Sequence, residues 1–317
     1  MTTVFFSGES ITLANGIEGQ PWQVETGNPA HFFQLISARE TVEAAHIYAQ
    51  TFLPAGVDKP GCVIIVPGSM GVAPSHIRKA ELLTEAGIGA CIVDPFGARG
   101  VSSTVANQAQ YSFAASAWDV LAVLQQLAGR SEVDPERIGA QGHSRGGSAV
   151  LSAASLQRIL ARKGRLVGVY AAYPWCGQQF LNPDVGKTKV RAVVGDQDEW
   201  CLPQQIQGHI QALRLCGSEA SLRIFAGAHH SFDRDTPVEM VEDASVAPGA
   251  PTIYINDDGS MIHPVTGASD PACTERDLML YGIKAGYGVR GARIGTSGQF
   301  ADVFHEDMLS FWKEVLA

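Results

Sequence analysis

Short, continuous apolar runs alternate along the chain with stretches whose apolar residues recur every three or four positions. Cys62-Val-Ile-Ile-Val66 is apolar throughout and ends in Pro67-Gly68. Such a run fits a strand buried on both faces, as in a parallel sheet. Pro74 to Ala86 then reads as a helix, with Ile77, Ala80 and Leu83 on one face and Gly87 as its stop. Ala90–Val93, Arg137–Gln141, Leu166–Ala172, Val190–Val194 and Ser221–Phe225 repeat the strand pattern. Residues 112–128, Ser148–Leu160 and Pro203–Leu215 repeat the helical one. Phe300, Phe304, Met308, Phe311 and Val315 make the apolar stripe of a last helix. Strand–helix alternation of this kind predicts an α/β fold, with a mostly parallel sheet and helices on both faces.

Two parts depart from the alternation. Residues 1–60 hold strand-like pieces, Thr3–Phe6 and Ala44–Phe52, without an obvious helix, which predicts antiparallel edge strands. Residues 234–297 read as an irregular insertion before the C-terminal helix, with a hairpin over Thr252–Ile262 turning at Asp258-Gly259. A long insertion in a compact domain is often functional, for example a lid. With no internal repeat and no low-complexity linker, 1–317 is expected to be a single domain.

Composition narrows the function. The net charge is 23 − 32 = −9, and 45% of residues are hydrophobic against 17% charged. This profile excludes a disordered chain. The acidic balance argues against nucleic acid, which needs a basic face. No run approaches the length of a membrane span. The N-terminus lacks a basic and apolar leader, and the six cysteines are scattered without a C-x-x-C pair. A cytoplasmic protein with reduced thiols is expected, a Cys176–Cys201 contact being the sharper alternative. Oligomeric state is not legible, and a homo-oligomer is compatible with the chain. Glycine is over-represented, at 34 of 317 residues, which points to tight turns.

Several of those glycines surround Gly142-His143-Ser144-Arg145-Gly146-Gly147, a G-x-S-x-G string between a predicted strand and a predicted helix. That context is what a nucleophilic serine needs, because a sharp strand-to-helix turn lifts the hydroxyl above the sheet edge. A base and an orienting acid should follow in the order Asp, His. The strand Val190–Val194 ends in Gly195-Asp196-Gln197-Asp198, where either aspartate can serve. The strand Ser221–Phe225 is followed by Ala228-His229-His230-Ser231-Phe232, where either histidine can serve. The competing readings are a plain glycine-rich turn, a helix-capping acid and a structural histidine.

The chain resembles α/β-hydrolases of the dienelactone hydrolase-like group over roughly residues 40–317. The resemblance rests on Val66–Gly71, Asp94–Val101, Asp134–Gly139, Gly142–Gly147, Gly195–Asp198 and Ala228–Asp233. It implies an eight-stranded, mostly parallel α/β-hydrolase sheet, and it selects Asp198 and His230. Two departures stand out. The nucleophile is Ser144 rather than cysteine, and Gly68 replaces the glutamate of that enzyme's oxyanion loop. Both favour a general ester hydrolase over a lactone-specific one.

These residues predict acyl transfer by Ser144, His230 and Asp198 on a small-molecule ester, without metal or cofactor. The backbone N–H of Arg145 and that of Ser69, with Met70 as the next candidate, would form the oxyanion hole. The Arg145 side chain is expected to point along its helix as a structural group. Arg99 is a candidate for a substrate carboxylate or for a structural ion pair. Trp175 and Trp200 are candidates for walls of the acyl pocket or for core aromatics. Amide, carbamate or lactone hydrolysis by the same triad, and a non-catalytic ligand-binding protein on this fold, are the alternatives.

Overall fold

The computed structural model describes residues 3–160 and 164–317. In chain order β1 (Gln20–Gly27), α1 (Phe32–Ser37) and β2 (Ala44–Phe52) precede β3 (Cys62–Val66), α2 (Pro74–Glu85) and β4 (Gly89–Asp94). Then come α3 (Phe113–Leu127), β5 (Ile138–His143), α4 (Arg145–Ile159), β6 (Leu166–Ala172) and β7 (Gln178–Phe180). They are followed by β8 (Lys189–Gly195), α5 (Pro203–Leu215) and β9 (Ala220–Phe225). The remaining chain forms β10 (Glu239–Val246), β11 (Ile253–Ile255), β12 (Met261–Ile262), β13 (Ser269–Asp270), α6 (Glu275–Lys284), β14 (Val289–Ile294) and α7 (Phe300–Val315).

Eight strands make the central sheet in the order β1-β2-β4-β3-β5-β6-β8-β9. β1 pairs antiparallel with β2 and β2 antiparallel with β4, while the pairs from β4 to β9 are parallel. The five residues of β3 are all buried, as their unbroken apolar run requires. Helices start where the local chemistry favours it: Pro74 and Pro203 open α2 and α5, and the Ser112 hydroxyl accepts the Ala115 N–H to cap α3. Under the sheet, α7 buries Phe304, Met308, Phe311 and Trp312. Trp312 donates to Gln141 at 2.8 Å. A Cβ on Gly139 would come within 2.2 Å of the Trp312 ring, so the helix seats on β5 only because that position is bare.

The structure corrects the sequence reading in two places. Thr3–Phe6 is not a strand; Val4 makes only an isolated bridge to Val72. The N-terminal partner of β2 is Gln20–Gly27, flanked by a short helix. Residues 234–297 are not irregular either. β10 pairs with β14, while β11, β12 and β13 join β7 in a four-stranded sheet, and α6 lies between them and β14. The expected hairpin is β11–β12, with Tyr254 opposite Ile262. Its Gly259 has φ +88° and packs so tightly on α1 that a Cβ would lie 2.4 Å from Phe32 backbone. Among the described residues, no helix is long and apolar enough to cross a membrane.

Candidate active site

The carboxyl ends of β3, β5, β8 and β9 lie at one edge of the sheet, which brings their following loops together. The turn after β5 is the sharpest. Ser144 has φ +55° and ψ −116°, a region that non-glycine residues seldom occupy. It persists because its surroundings leave no alternative. A Cβ on Gly142 would fall 1.9 Å from the Gly146 carbonyl, and one on Gly146 would fall 2.3 Å from the Val66 carbonyl. The Ser144 N–H is tied to the Ala172 carbonyl at 2.9 Å.

Ser144 Oγ lies 2.9 Å from His230 Nε2, and His230 Nδ1 lies 2.8 Å from Asp198 Oδ2. The other carboxylate oxygen of Asp198 accepts the Trp200 and Cys201 N–H groups, each at 2.8 Å. Asp198 is thereby fixed with one oxygen left for the imidazole. Asp196 is exposed and instead accepts the Gly227 N–H at 2.6 Å. The histidine bonded to Ser144 is His230 rather than its neighbour His229. Trp200 stacks on the His230 ring at 5.2 Å and 15° and donates its indole N–H to the Arg293 carbonyl of β14. The insertion therefore reaches the imidazole ring through Trp200, and the His230 carbonyl accepts the Gly295 N–H at 2.9 Å.

Ser144 opens into a cavity of about 180 Å³ bordered by Ser69, Arg145, Phe113, Trp175, Trp200 and, from α6, Leu278, Met279 and Ile283. Trp175 stacks on Phe113 at 4.6 Å, so both candidate tryptophans border the cavity. Ser69 and Arg145 meet there too, and Gln108 joins their side chains: Oε1 accepts from Arg145 at 2.9 Å and from Ser69 at 3.2 Å. The side chain of Met70 packs elsewhere, against Val105, Ala244 and Ala292.

Of the two readings of Arg99, the structural ion pair is the one formed. Arg99 does not serve the cavity. It forks onto Asp119 at 2.7 and 3.0 Å, with both side chains more than nine-tenths buried. Burial opposes its charge, but Asp119 and the Tyr111 hydroxyl overcome that and hold it firmly protonated. The Arg145 side chain, expected to be structural, turns inward. It is buried over the Phe113 ring at 4.0 Å, and burial lowers its pKa to about 10.

Sequence reasoning missed Gln108, Phe113, Glu275 and Tyr173. Glu275, at the start of α6, accepts the Phe113 N–H with both oxygens at 2.8 Å and the Ala114 N–H at 3.4 Å. It thereby fastens the insertion to the first turn of α3. A local signal for α6 was present, since Thr274 and Asp277 form a capping box. Among the described residues, Asp198, Cys201 and His230 are the one group of metal-ligand type, with donor atoms within 4.8 Å. The bond between Asp198 and His230 accounts for most of that closeness. Cys176 and Cys201 are both buried free thiols, not a disulfide.

The central fold recurs in solved structures. A dienelactone hydrolase-like promiscuous phosphotriesterase from metagenomic libraries shares 13% identity and a TM-score of 0.58, over 95% of this chain and 100% of that one. A protein from Klebsiella pneumoniae subsp. pneumoniae, described as a dienelactone hydrolase, shares 19% identity and a TM-score of 0.50, over 67% of this chain and 88% of that one. At such identities these likenesses speak to the fold. No curated protein matches the chain. The model of the dienelactone hydrolase family matches residues 47–249, well over half of the chain and inclusive of Ser144, Asp198 and His230. The chain belongs to the dienelactone hydrolase family, and with it to the hydrolases that act on esters.

Proposed function

We propose that the protein is a serine hydrolase that cleaves carboxylic esters through an acyl-enzyme intermediate. One observation carries this reading: Ser144 Oγ stands 2.9 Å from His230 Nε2, with Asp198 2.8 Å behind the ring. His230 takes the Ser144 proton as the oxygen attacks the ester carbonyl, and Asp198 holds the tautomer and stabilises the imidazolium. His230 then returns the proton to the leaving alcohol. Water, deprotonated by His230, releases the acid and restores Ser144.

The oxyanion is assigned to the backbone N–H of Arg145, at the first turn of α4, and to that of Ser69. Neither N–H donates to a protein acceptor among the described residues. Ser69 is favoured over Met70 because it borders the cavity beside Ser144. The mostly apolar walls suit a small or medium uncharged acyl group. Serine as nucleophile and Gly68 in place of an acid support simple esters over lactones. We read the chain as one cytoplasmic domain in which residues 234–297 cover the site as a lid.

p-Nitrophenyl esters from acetate to octanoate test the reading. The wild type should turn over the shorter esters, and Ser144→Ala should fall to the buffer rate. Full activity in Ser144→Ala would refute it.

A further inference from the structure

Beneath His230 lies a buried ion pair that the reaction itself does not use. Lys79 of α2 has no exposed surface and is paired with Asp233, which is 2% exposed. The second oxygen of Asp233 accepts the Tyr173 hydroxyl. The Tyr173 ring meets the His230 ring edge-on, with centroids 4.7 Å apart and planes at 65°. Trp200 covers another side of the same imidazole. Asp233 also belongs to the turn that carries His230, three residues further on. The network therefore reaches the imidazole twice, through the backbone of its turn and through a ring in contact with it.

The backbone is strained on both routes. Tyr173 has φ +38° and Ser231 has φ +56°, neither being glycine. Such residues cost roughly 1–3 kcal/mol each and persist only where the surroundings over-determine them. Stability alone is a poor reason for the ion pair, because well-packed apolar replacements of buried pairs are often neutral or stabilising. The remaining titratable groups around it are His76, His143, His305, Tyr170 and Arg234. Burial favours the neutral form of the three histidines, lowering His143 to about 3 and His305 to about 4. Burial also opposes ionisation of Asp233, but Lys79 beside it and the Tyr173 hydroxyl hold its carboxyl well below the usual range.

We propose that Lys79, Asp233 and Tyr173 are positioning residues for His230, fixing the turn and the ring contact that aim Nε2 at Ser144. The inference rests on the reading of His230 as the base. A base aimed wrongly loses rate rather than substrate affinity, since a misplacement of about 1 Å can cost ~10²-fold.

The test compares wild type, Tyr173→Phe and the double variant Lys79→Met/Asp233→Asn. Tyr173→Phe keeps the ring against His230 and removes only the hydroxyl, so it should fold even if the double variant does not. For each, kcat and KM on a p-nitrophenyl ester are measured apart, with the acidic limb of the pH–rate profile and the melting temperature. Tyr173→Phe should lower kcat roughly tenfold, within that ~10² ceiling. Its KM should stay within about twofold and its acidic limb should shift. An unchanged kcat and limb in folded Tyr173→Phe, with only the melting temperature lowered, overturns the proposal. A change confined to KM overturns it equally. An inactive wild type, or an active Ser144→Ala, contradicts the underlying reading instead, so the two failures are distinguishable.

Discussion

Gly68 and Ser144 stand so close that a side chain on Gly68 would press on the serine. A Cβ on Gly68 would lie 3.2 Å from Ser144 Cβ and 3.0 Å from the His143 carbonyl. The loop after β3 thus rests directly on the turn after β5, which sets the distance from Ser69 N–H to the serine.

Gly68→Ala should therefore damage the reaction more than the fold. The loop must yield by a few tenths of an ångström, and the Ser69 N–H moves with it. Loss of a whole oxyanion donor costs about 10²–10³ in kcat, so a displaced one should cost at least about tenfold. Steady-state kinetics should show kcat falling with KM little altered. Gly142→Ala, whose Cβ would fall 1.9 Å from a carbonyl, should not yield folded protein at all.

Arg99 and Asp119 predict the opposite pattern. Removing one partner of a buried pair typically costs about 3–5 kcal/mol. Arg99→Ala should lose stability on that scale in urea unfolding. Its kcat on uncharged esters, normalised to folded protein, should equal that of the wild type, because the guanidinium faces Asp119 rather than Ser144.

Glu275 ties α6 to α3, and α6 supplies one side of the cavity. Glu275→Ala leaves the Phe113 and Ala114 N–H groups without their acceptor, and loss of a comparable cap costs about 1 kcal/mol. The wall it holds should loosen. KM for longer acyl chains should rise several-fold while acetate is affected less, as a chain-length series would show.

Stability should fall in mild acid through histidines buried in neutral form. Burial lowers His209 from 6.5 to about 4 and His143 from 6.5 to about 3. Between those values and 6.5 the unfolded chain binds protons that the folded one does not, so stability drops as pH falls. Each unit of separation is worth about 1.4 kcal/mol. Their contribution is fully present above pH 6.5 and is lost progressively toward pH 4 and below. Urea midpoints from pH 8 to pH 4 should follow that slope. His209→Leu, on α5 and away from the Ser144 cavity, should flatten it.

The parts legible in the sequence were those governed by local patterns. Cys62–Val66 announced itself because a strand buried on both faces has no polar position to break its run. Ser144, Asp198 and His230 could be ordered because each follows a parallel strand, and parallel strands end on one edge. β1 escaped notice because its residues are mostly exposed or half-buried, with only Val24 and Gly27 buried. Thr3–Phe6 is apolar enough for a strand but has only Val72 to pair with. The pairs Lys79–Asp233 and Glu275–Phe113 span 154 and 162 residues, and no local pattern encodes such partners. Arg99 lay at the expected edge, yet its direction was decided by Asp119, one element later.

The central claim is that Ser144 is a nucleophile activated by His230. Folded protein treated with a fluorophosphonate and digested for peptide mass spectrometry tests it most directly. The account predicts a single adduct on Ser144, esterase activity lost in step with labelling, and no adduct in His230→Ala on the same timescale. An unlabelled Ser144 in folded, ester-cleaving protein, or inactivation through a different residue, would contradict it.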